Sequence, residues 1–424
     1  MISAGFRRAL RWRILPAPIE RSQHLVNKPL APDATSSPNS QGISPALVLA
    51  MAIATGVTVA NIYYAQPLLD TLAKAFDVPI HTAGLIVTVT QLGYAAGLMF
   101  LVPLGDMIER RRLVVTVTLL TSVALVGAAL APSIELFFAA SLAIGVTSVV
   151  VQILVPFAAH LAADHARGRV VGRVMSGLLL GILLARTVSG LMSDAFGWRS
   201  MFWLAAGVML IQAAVLARVL PRDPGKAQVS YPALLRSVLH LLRDEPVLRR
   251  RIVYGFCVFA SFSALWTALP FLLAAPPFGY SLARIGAFGL LGVAGAMAAS
   301  FAGHLHDRGY ARVATGGFIA LVMLAFALMG LFPHALAALV VGIVVLDLGV
   351  QGTQILNQSA IYQLSPEARS RLTTAYMTCY FAGGAAGSAG AAYAYSLAGW
   401  VGVSWIGATP PLLALLYWLT ERRQ

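Results

Sequence analysis

Apolar runs long enough to cross a bilayer recur along this chain, separated by short loops that hold most of its charge. Crossing about 30 Å of hydrocarbon takes roughly 20 mostly apolar residues in a helix. Inside lipid, every backbone N–H and C=O must find its partner within the chain. Runs of that length fall near 45–65, 82–104, 113–131, 135–158, 170–192 and 200–220, and again near 252–274, 285–304, 313–332, 334–360, 372–396 and 400–420. Only 11% of residues are charged and 58% are hydrophobic, where a soluble protein would carry about 25% charged residues. The sequence predicts an all-α membrane protein with twelve transmembrane helices and the lipid bilayer as its solvent.

The positions of Lys and Arg set the orientation. With the N-terminus inside, that side receives Arg110 to Arg112, Arg167, Arg169, Arg173, Arg218, Arg308, Arg312, Arg369 and Arg371, and the opposite side receives Lys74, Arg199 and Arg284. This asymmetry predicts a multi-pass protein of the cell inner (plasma) membrane with both termini cytoplasmic. The net charge of +14 therefore follows from topology and does not point to nucleic acid. Residues 1–44 combine arginines with a Pro/Ser/Asn-rich stretch and are expected to form a disordered cytoplasmic extension. Residues 221–251 read as a basic cytoplasmic linker, in which Tyr231 to Leu242 have the apolar spacing of a helix lying along the membrane surface. Cys257 and Cys379 both lie inside apolar runs, which argues against a disulfide framework or a metal cluster.

The chain repeats itself at about 202 residues. Val102 to Asp106 aligns with Gly303 to Asp307, Ala166 to Arg169 with Ala368 to Arg371, Gly197-Trp198 with Gly399-Trp400, and Pro67 with Pro270. Two six-helix bundles, 45–220 and 252–420, are thus expected to be related by a pseudo-twofold axis along the membrane normal. Transporters built this way bind substrate near the midplane between the halves.

One stretch stands out chemically. Asp347, Gln351, Gln354 and Gln358 recur at helical spacing within an otherwise apolar run, inside a sector of roughly 60°. A carboxylate near the bilayer centre costs at least about 2.5–3.5 kcal/mol, so it normally faces a bundle interior or water. The polar stripe is either a seam gluing two helices or the wall of a water-accessible path. Amides alone would serve as glue, so the charge favours the path. Arg186 lies near mid-depth of the fifth run, too far from either end to snorkel. It is expected to bridge Asp347, to control its titration, or to hold an anionic group of a substrate. Gln152, which the repeat aligns with Gln354, and Asn61 and Tyr64 at the end of the first run are further candidates for the pathway. No metal set, nucleotide loop or nucleophile–base pair is evident, so no cofactor is expected and an enzyme is disfavoured.

The loop residues carry a family resemblance. Gly303, Leu305, Asp307, Arg308 and Gly309, with Leu104-Gly105-Asp106 and Arg110 to Arg112, resemble the loop signature of the major facilitator superfamily. Ala60 to Leu69, Asn357-Gln358 and Pro366 to Arg371 resemble a bacterial, exporter-like branch of it. Val102 and Met107 depart from the first-half signature. The resemblance implies a cytoplasmic gate made by Asp106 with Arg110 or Arg111 and, in the second half, by Asp307 with Arg308. It also implies a secondary active transporter working by alternating access as a monomer. Proton-coupled export of a small organic molecule is the expected function, with protons as the coupling partner. The alternatives are uptake or exchange of a small organic anion through Arg186, or a membrane-embedded sensor or enzyme.

Overall fold

In the computed structural model the described residues are 43–163, 165–223, 230–293, 295, 302–306, 308–365 and 368–421. Among them no strand occurs, and nine helices are long and apolar enough to cross a membrane. We label the main helices α1 (Pro45–Ala60), α2 (Ile80–Phe100), α3 (Arg110–Leu130), α4 (Ile134–Thr147, resumed as Val151–Leu161), α5 (Arg167–Phe196), α6 (Trp198–Val219), α7 (Pro246–Ala274), α8 (Leu282–Ala287, tightening to a 3-10 turn at Phe288–Gly292), α9 (Ala311–Leu331), α10 (Leu336–Tyr362) and α11 (Arg369–Leu419). A linker helix, Tyr231–Asp244, precedes α7. The residues expected to form the N-terminal extension lie outside the described chain except for the last two. One of these, Ser44, caps α1 by accepting the Leu47 N–H at 3.2 Å.

Several expected spans differ in detail. The first stops being α-helical at Ala60, and the chain then turns through Asn61–Ala65 into a 3-10 turn and a short helix, Leu69–Ala75, that buries Leu69, Leu72 and Ala73. The last two expected spans form one run broken at Ala398 and Gly399, where Gly399 adopts φ 57°. Glycine alone takes that conformation without a Cβ clash. Gly197, its partner in the repeat, also has positive φ, at 81°. The tryptophans that follow, Trp198 and Trp400, are both buried. The repeat seen in the letters is therefore also a repeat of backbone conformation.

Helix neighbours recur in the same way. Gly177 and Gly181 of α5 press on α1 at Ala52 and Gly56, as Gly383 and Gly387 of α11 press on α7 at Phe256 and Ala260. Without side chains these backbones come into direct contact, which is how membrane helices gain packing energy in the absence of a hydrophobic drive between them. Two further contacts are reciprocal under the repeat. α2 meets α11 through Gly84 and Ala392 and through the 2.7 Å hydroxyl bond of Thr88 with Ser388. α5 meets α8 through Gly190 and Gly286. α7 is buried without a break from Cys257 to Leu273. Large apolar side chains such as Leu49, Ile53, Leu120, Val123, Leu210 and Ile211 instead point outward, as a lipid-facing surface requires.

Candidate functional site

The polar stripe of α10 faces the interior. Asp347 is only 4% exposed, and Gln351, Gln354 and Gln358 line a cavity of about 340 Å³ together with Gln152, Tyr63, Phe259, Phe262 and Tyr380. The amides are held from α11. Tyr376 donates its hydroxyl to Gln354 Oε1 at 2.6 Å, and Gln354 Nε2 reaches the Met377 sulfur at 3.4 Å. The cavity extends to Tyr362 and Thr373, at the end of α10 and in the first turns of α11, where Arg369 and Arg371 lie. It thus opens toward the basic face of the protein.

A second cavity, of about 280 Å³, adjoins the first through Leu179, Ile182, Phe262 and Gln351 and is bordered by both Arg186 and Asp347. Arg186 reaches it from α5. Its Nε donates to Gln66 Oε1 at 2.8 Å. Its guanidinium carbon lies 3.9 Å from the ring centre of Trp266, 4.7 Å from Tyr63 and 5.7 Å from Phe262. Each such cation–ring contact contributes about 0.5–2 kcal/mol when desolvated, so the group is well anchored. Even so, Arg186 Nη2 has no hydrogen-bond partner, and neither has Asp347 Oδ1. The two side chains lie in each other's field, yet no ion pair within 4.0 Å joins them among the described residues. The structure brings the two buried charges to one cavity and keeps them apart.

Each of the two side chains abuts a glycine of α8. A Cβ on Gly289 would meet the Arg186 side chain at 2.9 Å, and one on Gly292 would meet Asp347 Oδ2 at 3.1 Å. At three residues per turn, 3-10 geometry stacks these glycines on one face, and their lack of side chains keeps the space between the charges open.

The remaining candidates divide. Asn61 turns toward α6, with its Nδ2 against Thr58 O and the Met209 sulfur. Tyr64 is buried away from the cavity, and its carbonyl accepts the Ser189 hydroxyl at 2.6 Å. Tyr63 takes the lining position instead, because residues 61–65 form turns in which helical periodicity no longer tells which side faces inward. At the basic end, Arg110 lies 3.7 Å from Asp106 but binds Asp223 of the linker more closely, at 2.7 Å. Arg110 Nε also donates to Gly105 O at 3.2 Å. Arg111 is half-buried and makes no ion pair in this cluster, and Arg308 is exposed. Asp307 lies outside the described residues, so the second-half gate is not described.

Comparisons with known proteins agree with this architecture. The sequence matches the Major Facilitator Superfamily over residues 51–388. It is 50% identical over 383 residues to YgaY of Escherichia coli strain K12, named as a transporter, covering 90% of this chain and 97% of that one. It is 36% identical over 378 residues to the transporter SCO4007 of Streptomyces coelicolor, covering 88% of this chain and 87% of that one. Among solved structures it resembles an inward-facing bacterial homologue of the human lysosomal transporter Spinster, with TM-score 0.70 and 14% identity over 90% of this chain and all of that one. The nucleoside transporter NupG gives TM-score 0.72 and 15% identity over 88% of this chain and 99% of that one. At such identities the structural likeness speaks to the fold alone. With the helix packing, the internal repeat and a central cavity in place, the chain belongs to the Major Facilitator Superfamily and is a membrane transporter, not an enzyme.

Proposed function

We propose that this protein is a proton-coupled exporter of a small organic molecule, working by alternating access between two six-helix halves, 45–220 and 252–420, in the cell inner membrane with both termini cytoplasmic. One observation carries the reading. Asp347 is a buried carboxylate with an unpartnered oxygen at a central cavity, in the field of one fixed cation. A transport cycle coupled to protons needs a group that alternates between charged and neutral as access changes. Among the described residues, the charged and titratable groups around Asp347 are Arg186 from α5, Tyr63 beyond the end of α1 and Tyr380 from α11. Of these side chains a guanidinium does not give up its proton in proteins and a phenol is a far weaker acid than a carboxylic acid, so the coupling proton is assigned to Asp347.

The cavity's reach to Tyr362 and Thr373 at the basic end, and the close α2–α11 and α5–α8 contacts toward the other end, support a state open at the basic end and closed at the opposite one. With the basic end taken as cytoplasmic, this is the inward-open stage. The gate at that end uses Arg110 with Asp223 and Asp106, so the linker takes part in it. Everted membrane vesicles energised by respiration, with the pH gradient followed by a dye, test the coupling. A transported compound should dissipate the gradient in wild-type vesicles and leave it intact in Asp347→Asn vesicles. Equal dissipation in both would remove Asp347 as the proton site.

A further inference from the structure

Four buried polar atoms around one spot lack hydrogen-bond partners: Gln66 Nε2, Arg186 Nη2, Trp266 Nε1 and Asp347 Oδ1. Buried polar groups are satisfied in roughly nine cases of ten, and each orphan costs about 1–3 kcal/mol. A cluster of four therefore marks a place where the protein leaves hydrogen-bonding positions for water or a polar ligand to fill. Their chemistry is asymmetric: two donors, Gln66 Nε2 and Arg186 Nη2, gather at the guanidinium, while the Trp266 indole N–H lies toward the carboxylate of Asp347, which offers the one acceptor. Both charged side chains are 4% exposed and both border the same cavity.

Resting on the reading of this cavity as the transport site, we propose that the substrate is an amino-acid-like zwitterion whose carboxylate binds Arg186 and whose ammonium group binds Asp347. Charge balance selects this class. A plain anion at Arg186 would face an ionised Asp347, and a plain cation at Asp347 would face a permanent guanidinium. A zwitterion satisfies both without adding net charge to a low-dielectric site, where unpaired ions are costly. Arg186 sits beside Gly289 and Asp347 beside Gly292, one 3-10 turn apart, about 6 Å along the axis. Both side chains also border the same cavity, as an acid and an amine carried close together on one small molecule require. The adjoining cavity supplies the rest, since Phe262 stacks on Phe259 and Phe259 on Tyr380, with centroids 5.4 and 4.0 Å apart. An apolar or aromatic side group fits against that stack.

The ammonium group and a proton then compete for one carboxylate, so substrate and proton occupy Asp347 in turn. This makes the class specific to exchange of one for the other.

The test is ligand-induced thermal stabilisation of the detergent-purified full chain at fixed pH. The ligands are leucine and phenylalanine, each beside its methyl ester and its N-acetyl derivative. Wild type should favour the free amino acids over either blocked form by about tenfold or more in apparent affinity. Arg186→Gln should abolish the preference over the ester, and Arg186→Lys should keep part of it, which also reports that the site folds. Asp347→Asn should abolish the preference over the acetylated form. Blocked forms binding as well as the free amino acids, stabilisation by no amino acid in the set, or unchanged preferences in both variants would each overturn the proposal. A substrate lacking one of the charges that still dissipates the vesicle pH gradient through Asp347 would refute the class and leave the coupling standing.

Discussion

If the protein closes opposite the cavity mouth through the backbone contact of α5 with α8, one methyl group is enough to disturb that closure. A Cβ built on Gly286 would lie 2.5 Å from Arg186 O and 3.0 Å from Gly190 Cα. Ordinary contact begins at 3.4 Å, so Gly286→Ala requires about 0.9 Å of separation (3.4 minus 2.5). Neither neighbour is a flexible side chain that could swing aside. Overpacking of this kind costs about 1–3 kcal/mol. The cost falls only on the conformation in which the two helices touch, so it shifts the equilibrium toward the one in which they part. At about 1.4 kcal/mol per tenfold, the shift is roughly fivefold to a hundredfold. It can be read at the other sealing contact, in a Cys257→Ala, Cys379→Ala background carrying Thr88→Cys, as the rate of labelling by a membrane-impermeant maleimide from the side opposite the basic loops. Gly317→Ala is the control, because a Cβ there meets nothing within 4 Å. Labelling should accelerate at least about fivefold with Gly286→Ala and stay unchanged with Gly317→Ala. Equal rates in both, at equal yields of folded protein, would mean that this crossing does not govern closure.

Two further outcomes follow from the site and its gate. Arg110→Gln and Asp223→Asn should each lower the unfolding temperature in detergent, and their double-mutant cycle should show coupling of about 1 kcal/mol or more, as a charge-assisted bond at 2.7 Å implies; additivity within error would make the contact incidental. Tyr376→Phe removes the 2.6 Å bond that holds Gln354, so ligand affinity should fall about fivefold, the equivalent of about 1 kcal/mol. Unchanged affinity in a calorimetric titration would take Gln354 out of the binding face.

How much of this could be read from the letters depended on how regular the local structure was. Asp347 and its glutamines were legible because an α-helix converts spacing into a face, and α10 is helical throughout. Arg186 was legible because a charge at mid-depth needs a reason. The Gly197 and Gly399 turns were visible through the repeat. Asn61 and Tyr64 were placed less well, since the turns after Ala60 obey no helical period. Asp223 was hidden as one of three acids in a basic linker, and only tertiary structure brings it to Arg110. The glycines of α8 stand three apart in plain view, but their meaning depends on what packs against them, Arg186 on one side and Asp347 on the other. The absence of a direct bridge between those two charges is a matter of distance, which sequence does not encode.

Proton release on ligand binding tests the central claim most directly. If Asp347 holds the coupling proton and the substrate's ammonium group takes its place, binding must expel protons. Affinity must then rise with pH through the range in which Asp347 deprotonates. The amino acid that stabilises the protein most is added to purified protein in weakly buffered detergent solution containing a pH-sensitive dye. Wild type should release up to one proton per bound ligand. Asp347→Asn keeps a carbonyl oxygen to accept from the ammonium group but has no proton to give, so it should bind more weakly and release none. Binding by wild type without proton release, or equal release from Asp347→Asn, would contradict the account.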